Sequence, residues 1–214
     1  MTERFLERIS YYNALWPCFG SLNGVSSYIY WRHIVLDMLA PSNDALQAEL
    51  LSNPQFDILA RQIFHYYETS EAWSLIPSAL SSIQSLSDMN IHLAVISNWD
   101  DRLHNILAGF DLPKYFQAVI LSHEVGVEKP DVRIFEIAEQ SVRKQSSVQQ
   151  SNFQLKIHIG DNLKKDGYGA IKAGWTSIVI SEHPVNHISK NLFVVSNMSQ
   201  AFNTCLKLIN ETKI

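Results

Sequence analysis

The chain has 214 residues, 46% of them apolar and 18% charged, which suffices for one substantial core with a smaller module beside it and argues against disorder. Its net charge of −4 offers no general attraction to nucleic acid or to an acidic membrane surface, and the Lys164-Lys165 pair is too short to alter that. Only Cys18 and Cys205 occur, nearly a chain length apart, so a disulfide framework and a paired zinc knuckle are excluded and a reducing, cytoplasmic setting is expected, with an organelle address left open.

The opening eight residues mix acids with bases and hold no apolar run long enough for a signal or a membrane span, so a protein that stays in water is expected. Through about residue 70 the apolar and aromatic residues recur at three-to-four spacing, clearest at 28–39 and 56–67, which predicts helices and no strand. Gly20, Gly24 and the serines around them interrupt the first two helices, and Ala40-Pro41-Ser42-Asn43-Asp44 stops one helix and caps the next. After Pro77 the pattern changes. A helix through Leu86 leads to the apolar run His92-Leu93-Ala94-Val95-Ile96, and further runs at 118–121, 156–159, 177–180 and 193–195 read as strands. They alternate with helical stretches at 101–107, 132–142, 163–173 and 199–209, an order that predicts a doubly wound, Rossmann-like α/β fold with a parallel sheet covered on both faces. The expected division is an α-helical cap over residues 1–70 and an α/β core over 71–214. Residues 144–152, rich in Gln and Ser, read as a solvated loop.

Ligands of such sheets bind at the carboxyl ends of the strands. Those ends carry Ser97-Asn98 after the first strand, Gly126-Val127-Glu128-Lys129-Pro130-Asp131 after the second, and Gly160-Asp161-Asn162 after the third. A hydroxyl, a cation and a carboxylate at successive strand ends suit phosphate handling. Ser97 and nearby backbone amides can donate to phosphoryl oxygens, and Lys129 can offset the charge that builds during transfer. Asp161 can hold Mg²⁺, a hard ion that takes oxygen ligands and keeps several waters. Asp166, at the start of the next helix, could orient either Lys129 or the waters of the metal. Taken singly, each has a plainer reading, because Ser and Asp often end strands only to cap the helix that follows. Their joint order favours the chemical one.

Ala94-Val95-Ile96-Ser97-Asn98, the 126–131 loop with Ile134-Phe135, and His158-Ile159-Gly160-Asp161-Asn162 with Asp166 and Ala173-Gly174 resemble the second, third and fourth motifs of the haloacid dehalogenase-like hydrolase superfamily. The helical half is similar to the cap inserted after that family's first motif, and Trp16-Pro17-Cys18-Phe19-Gly20 with Trp31 is similar to one branch of it. The resemblance implies Mg²⁺-dependent hydrolysis of a small phosphorylated metabolite, with the cap choosing the substrate. It also implies that Ser97, with Asn98, binds the phosphoryl group, that Lys129 steadies the charge on nucleophile and phosphate, and that Asp161 ligates Mg²⁺ with help from Asp166.

One motif has no counterpart. The family begins with a buried strand running into Asp-x-Asp-x-Thr, whose first aspartate attacks phosphorus. The nearest imitation is Ile34-Val35-Leu36-Asp37, but Met38-Leu39-Ala40 follows it and its spacing is helical. Asp100-Asp101 lies after the Ser97 strand and is expected to cap a helix. The expectation is therefore a core lacking its first strand and a chain without hydrolytic turnover. Three alternatives remain: a phosphate-binding module, a shortened version of an active phosphatase, and a structural subunit. The unpaired strand edges of such a core would invite a strand-donating protein partner or homo-oligomer. Tyr66, Tyr67 and Trp73 read as packing, and His183 and His187 flank a proline in a loop rather than a metal-binding helix face.

Overall fold

The computed structural model describes residues 2–145, 153–183 and 189–212. In chain order its elements begin with α1 (Thr2–Leu15), a 3₁₀ turn (Cys18–Asn23), α2 (Ser27–Leu39), α3 (Asp44–Ser52), α4 (Pro54–Tyr66) and α5 (Ala79–Asp88). Then follow β1 (Ala94–Ser97), α6 (Leu103–Gly109), β2 (Ala118–Leu121), α7 (Ser122–Val125), α8 (Val132–Gln145) and β3 (Ile157–Gly160). A π-helical turn (Leu163–Tyr168), α9 (Gly169–Lys172), β4 (Thr176–Ile180), β5 (Leu192–Val195) and α10 (Met198–Thr212) complete the chain. Two compact units result: Met1–Ser74 with Asn98–Pro113 and Leu121–Gly126, and Leu75–Ser97 with Lys114–Ile120 and Val127–Ile214. The grouping differs from a single cut near residue 70, because two segments that follow strand ends pack with the amino-terminal helices.

In the first unit the helix starts carry their own signals. Ser26 Oγ accepts from Ile29 N at 3.3 Å, Asn43 Oδ1 from Leu46 N at 3.0 Å, and Asn53 Oδ1 from Gln55 N at 2.9 Å, with Pro54 in the first turn of α4. Tyr12, Tyr30 and Ile34 form a buried aromatic core, with Trp16, Phe19, Trp31 and Met38 packed on it. The Ile34-to-Asp37 segment is helical, and the Asp37 carboxylate accepts from Tyr12 Oη at 3.0 Å and Gln47 Nε2 at 3.1 Å.

Asp100 performs the capping expected of it, its Oδ1 accepting from Arg102 N at 3.1 Å ahead of α6, and both Asp100 and Asp101 also bind side chains. Asp100 is fully buried and takes the guanidinium fork of Arg102, Nε on Oδ1 and Nη2 on Oδ2, both at 2.8 Å. Trp31 Nε1 donates to the same carboxylate at 2.6 Å, and the guanidinium lies between the rings of Trp31 and Phe64 at 4.9 and 4.3 Å. Asp101 Oδ1 accepts from Ser27 Oγ at 2.7 Å. A buried charge must be paired, and the Arg102 fork meets that demand while the same carboxylate keeps its capping bond to Arg102 N.

The second unit has the expected α/β character. β3, β4 and β5 form a parallel sheet in register Ile157↔Thr176 and Ser177↔Leu192, and the central β4 buries Ser177, Ile178 and Val179. Ala201, Cys205 and Ile209 on one face of α10 pack with Leu86 and Ile178, while α8 buries Ile134, Phe135, Ala138 and Val142. β1 pairs with β2 in a separate two-stranded sheet. Among the described residues no ladder joins β1 to β3. The helix expected at 163–173 begins as the π-helical turn before settling into α9. Most of the 144–152 loop, and His187, lie outside the described residues. No helix among the described residues is long and apolar enough to cross a membrane.

Replacing Asp100 by Ala should destabilise the protein by about 3–5 kcal/mol, the usual cost of stranding a buried charge, here the guanidinium of Arg102. Urea denaturation measures this, and a loss below about 1 kcal/mol, typical of a surface ion pair, would contradict the pairing.

Candidate functional site

The second unit concentrates its polar side chains where β1 and β3 end. Lys129, in the loop that leads into α8, is mostly buried and donates from Nζ to the Ile96 carbonyl of β1 at 2.7 Å. The same ammonium pairs with Asp166 Oδ1 at 2.7 Å. Asp166 sits in the π-helical turn after β3, and its position there is over-determined. Its Oδ1 also contacts His158 Nε2 of β3 at 2.9 Å, and its Oδ2 accepts from Asn162 N at 2.9 Å. Its own backbone carbonyl accepts from Ser177 Oγ at 3.1 Å, which ties the turn to β4.

Two glycines make this close packing feasible. A Cβ at Gly160 would lie 2.6 Å from both Cβ and Oδ2 of Asp166, so only glycine lets the carboxylate fold back over the end of β3. At Gly169, in α9, a Cβ would lie 3.0 Å from Pro130 Cα, next to Lys129. Asp131 is taken by Arg133, whose Nη2 donates at 2.8 Å, and that pairing lowers the Asp131 pKa at the start of α8.

Burial alone would raise the Asp166 pKa. The His158 hydrogen bond and the Lys129 ammonium overcome it and hold the carboxyl well below the usual carboxylate range. Burial lowers the His158 pKa and Lys129 lowers it further, against the opposing pull of Asp166. The cluster therefore holds an ionised carboxylate beside a neutral imidazole at neutral pH.

Lys129 and Asp166 are thus in direct contact. Ser97 closes β1 one residue beyond Ile96, and Asp161 follows Gly160 with its side chain exposed. Asn98 begins the segment that belongs to the first unit. Both oxygens of Asp166 accept from protein donors, Oδ1 from Lys129 and His158 and Oδ2 from Asn162 N. Mg²⁺ ordinarily takes one or two carboxylates and several waters. Asp161 fits the first of these, and a cation at Asp166 would have to compete with Lys129 and His158. Among the described residues no group of three or more His, Cys, Asp or Glu side chains is placed to hold a metal. The strand motif that contains His158 assigns it no role. Its signal was a polar ring in an otherwise apolar strand, which has to find a partner when buried.

A family model for haloacid dehalogenase-like hydrolases matches residues 24–180. The chain is 29% identical over 177 residues to haloacid dehalogenase-like hydrolase domain-containing protein 3 of Xenopus laevis, covering 81% of this chain and 65% of that protein. It therefore spans just under two thirds of that relative's length. A HAD phosphatase from Thermococcus onnurineus is similar in structure with a TM-score of 0.57 at 18% identity, over 79% of this chain and 84% of the other. The HAD-hydrolase YfnB from Bacillus subtilis, bound to magnesium, gives a TM-score of 0.56 at 16% identity over 95% and 83%. The fold is the Rossmann-like α/β architecture of that superfamily, accompanied by a helical cap.

Asp166 ionises at lower pH in the folded chain than in the unfolded one. Its contribution to stability is complete above the unfolded value, about pH 4, and is lost as pH falls from there through the folded value. Asp166→Ala should lower stability at neutral pH by about 3–5 kcal/mol and lack that part of the acid loss. Urea denaturation across the acid range tests both, and a variant whose stability falls with pH as steeply as the wild type's would contradict the assignment.

Proposed function

The chain belongs to the haloacid dehalogenase-like hydrolases, and on that premise we propose that it binds the phosphoryl group of a small phosphate monoester at Ser97 and Lys129, with Asp161 holding Mg²⁺. The observation that carries this reading is the ammonium of Lys129, buried at the strand ends and fixed between the Ile96 carbonyl and Asp166. An ammonium already held by fixed acceptors costs little reorganisation when negative charge arrives beside it. Ser97 would donate its hydroxyl to a phosphoryl oxygen. Asp161 would hold Mg²⁺, which when bound would supply positive charge to offset that of the phosphoryl group.

The same reading holds that the chain by itself does not turn over. Covalent phosphoryl transfer needs an attacking carboxylate in line with the leaving oxygen. The carboxylates that the sequence offers as substitutes are spent elsewhere: Asp37 on Tyr12 and Gln47, Asp100 on Arg102 and Trp31, Asp101 on Ser27. Asp166 is engaged on both oxygens, and its low basicity makes it a poor nucleophile.

A second reading is favoured by the separation of the two sheets. β1 and β3 each have one neighbour among the described residues, and a side chain, Lys129, reaches from the β1 backbone to the carboxylate that β3 also contacts. On this reading an additional strand carrying the attacking carboxylate pairs with β1 and β3, supplied by a longer form of the same protein, by a partner protein or by a second copy.

Calorimetry should detect inorganic phosphate binding in the presence of Mg²⁺. Lys129→Ala should weaken it at least about tenfold, since hydrogen bonds to charged groups contribute about 1.5–3 kcal/mol; equal affinities would remove the phosphate site. An aryl phosphate should not be hydrolysed by the 214-residue chain, and turnover that disappears on Asp161→Asn would show that a nucleophile is already present. A version extended at its amino terminus by an apolar strand ending in aspartate should gain hydrolysis together with a higher melting temperature. Equal melting of the two forms would count against the added strand.

A further inference from the structure

We propose that His158 is a positioning residue, which donates its Nε2 proton to Asp166 and through that carboxylate fixes the ammonium of Lys129. The inference rests on the reading of Lys129 as a phosphate ligand and adds a residue to which that reading gives no part. An ionised carboxylate can only accept, so the 2.9 Å contact between His158 Nε2 and Asp166 Oδ1 puts the proton on Nε2. The acceptor is the same oxygen that pairs with Lys129 at 2.7 Å.

The three side chains differ in how firmly they are held. His158 belongs to β3, whose backbone is paired to β4 along its whole length, His158 itself opposite Ser177. Its ring is buried and meets the ring of Phe135 edge-on, with centroids 5.2 Å apart and planes at 87°; Phe135 is itself fully buried and packs on Trp175 at 5.6 Å. Lys129 is the opposite case, a flexible four-carbon stem arriving from a loop, whose charged end must be located by its acceptors. The Ile96 carbonyl is one such acceptor, and Asp166 Oδ1 is another. Position therefore passes from the β3 backbone to the imidazole, from there to the carboxylate, and finally to the ammonium. Support of a binding group by a rigid donor one contact away commonly alters affinity by about 10–100-fold.

The decisive comparison is between His158→Gln and His158→Leu. The glutamine amide nitrogen reaches close to the place of Nε2 and can donate, whereas leucine fills the space without a donor. In the ligand-free wild-type protein, long-range ¹H–¹⁵N spectra should show His158 neutral with its proton on Nε2. Exchange of the Lys129 ammonium protons with water should match the wild type in His158→Gln and be at least about tenfold faster in His158→Leu, the effect of losing a charge-assisted hydrogen bond. Phosphate affinity should follow the same order. A proton on Nδ1, or Lys129 exchange in His158→Leu within about twofold of the wild type, far below the loss expected from such a bond, overturns the proposal. If His158→Leu fails to fold, the wild-type tautomer and a His158→Gln protein with disturbed Lys129 exchange still decide against it. Phosphate that fails to bind the wild-type protein, with the Lys129 coupling intact, would instead remove the phosphate reading and leave the positioning role standing.

Discussion

The Lys129–Asp166 pair is the constraint around which the second unit is arranged. Desolvating two charges is expensive, and the cost is recovered only when the geometry is good and the remaining donors and acceptors are satisfied. Each surrounding feature answers one of those demands. Gly160 leaves room for the carboxylate, Asn162 N and His158 occupy its remaining lone pairs, and Ser177 ties the turn to β4. The Ile96 carbonyl meets the ammonium from the other side. The π-helical turn follows from the same requirement. Asp166 N and Gly167 N both return to the Asn162 carbonyl, at 2.7 and 3.2 Å, and the widened turn brings Asp166 back over the strand that precedes it.

A parallel economy operates in the first unit on a different pair. Asp100 and Arg102 are two residues apart and fully or nearly buried, yet Nε and Nη2 of the guanidinium meet the Asp100 carboxylate, Nη1 meets the Phe64 carbonyl, and aromatic rings enclose it. The arginine fork holds a carboxylate in a fixed plane and suits a structural joint. The lysine of the second unit is a point charge on a flexible stem and needs outside positioning, which makes it adaptable to a ligand. The contrast explains why one buried pair reads as architecture and the other as a site.

The separation of β1–β2 from β3–β4–β5 has a physical consequence of its own. A parallel strand is normally hydrogen-bonded on both sides, and inner edges left without neighbours carry donors and acceptors that must be met by side chains, water or another strand. Lys129 meets one of those acceptors, the Ile96 carbonyl. Lys129 thus links the backbone of β1 to the carboxylate that β3 also contacts.

Much of this was legible in the amino-acid sequence, and the reason is locality. Strand and helix order follow from apolar periodicity, the starts of α2, α3 and α4 from Ser26, Asn43 and Asn53-Pro54, and the placing of Ser97, Lys129 and Asp161 at strand ends from the motifs that carry them. The helical nature of the segment around Asp37 was equally readable, because its spacing belongs to a helix. What the sequence left open depended on partners far along the chain. The sequence does not show that Asp166 contacts Lys129, which arrives from 37 positions earlier, and His158 of the preceding strand. The capping bond of Asp100 to Arg102 N is local and readable, whereas its second partner Trp31, 69 positions away, is not visible in any window around it. The assignment of residues 98–113 to the helical unit has the same origin. Periodicity and capping record what a residue does for its immediate neighbours, and only the folded chain decides which buried charge meets which.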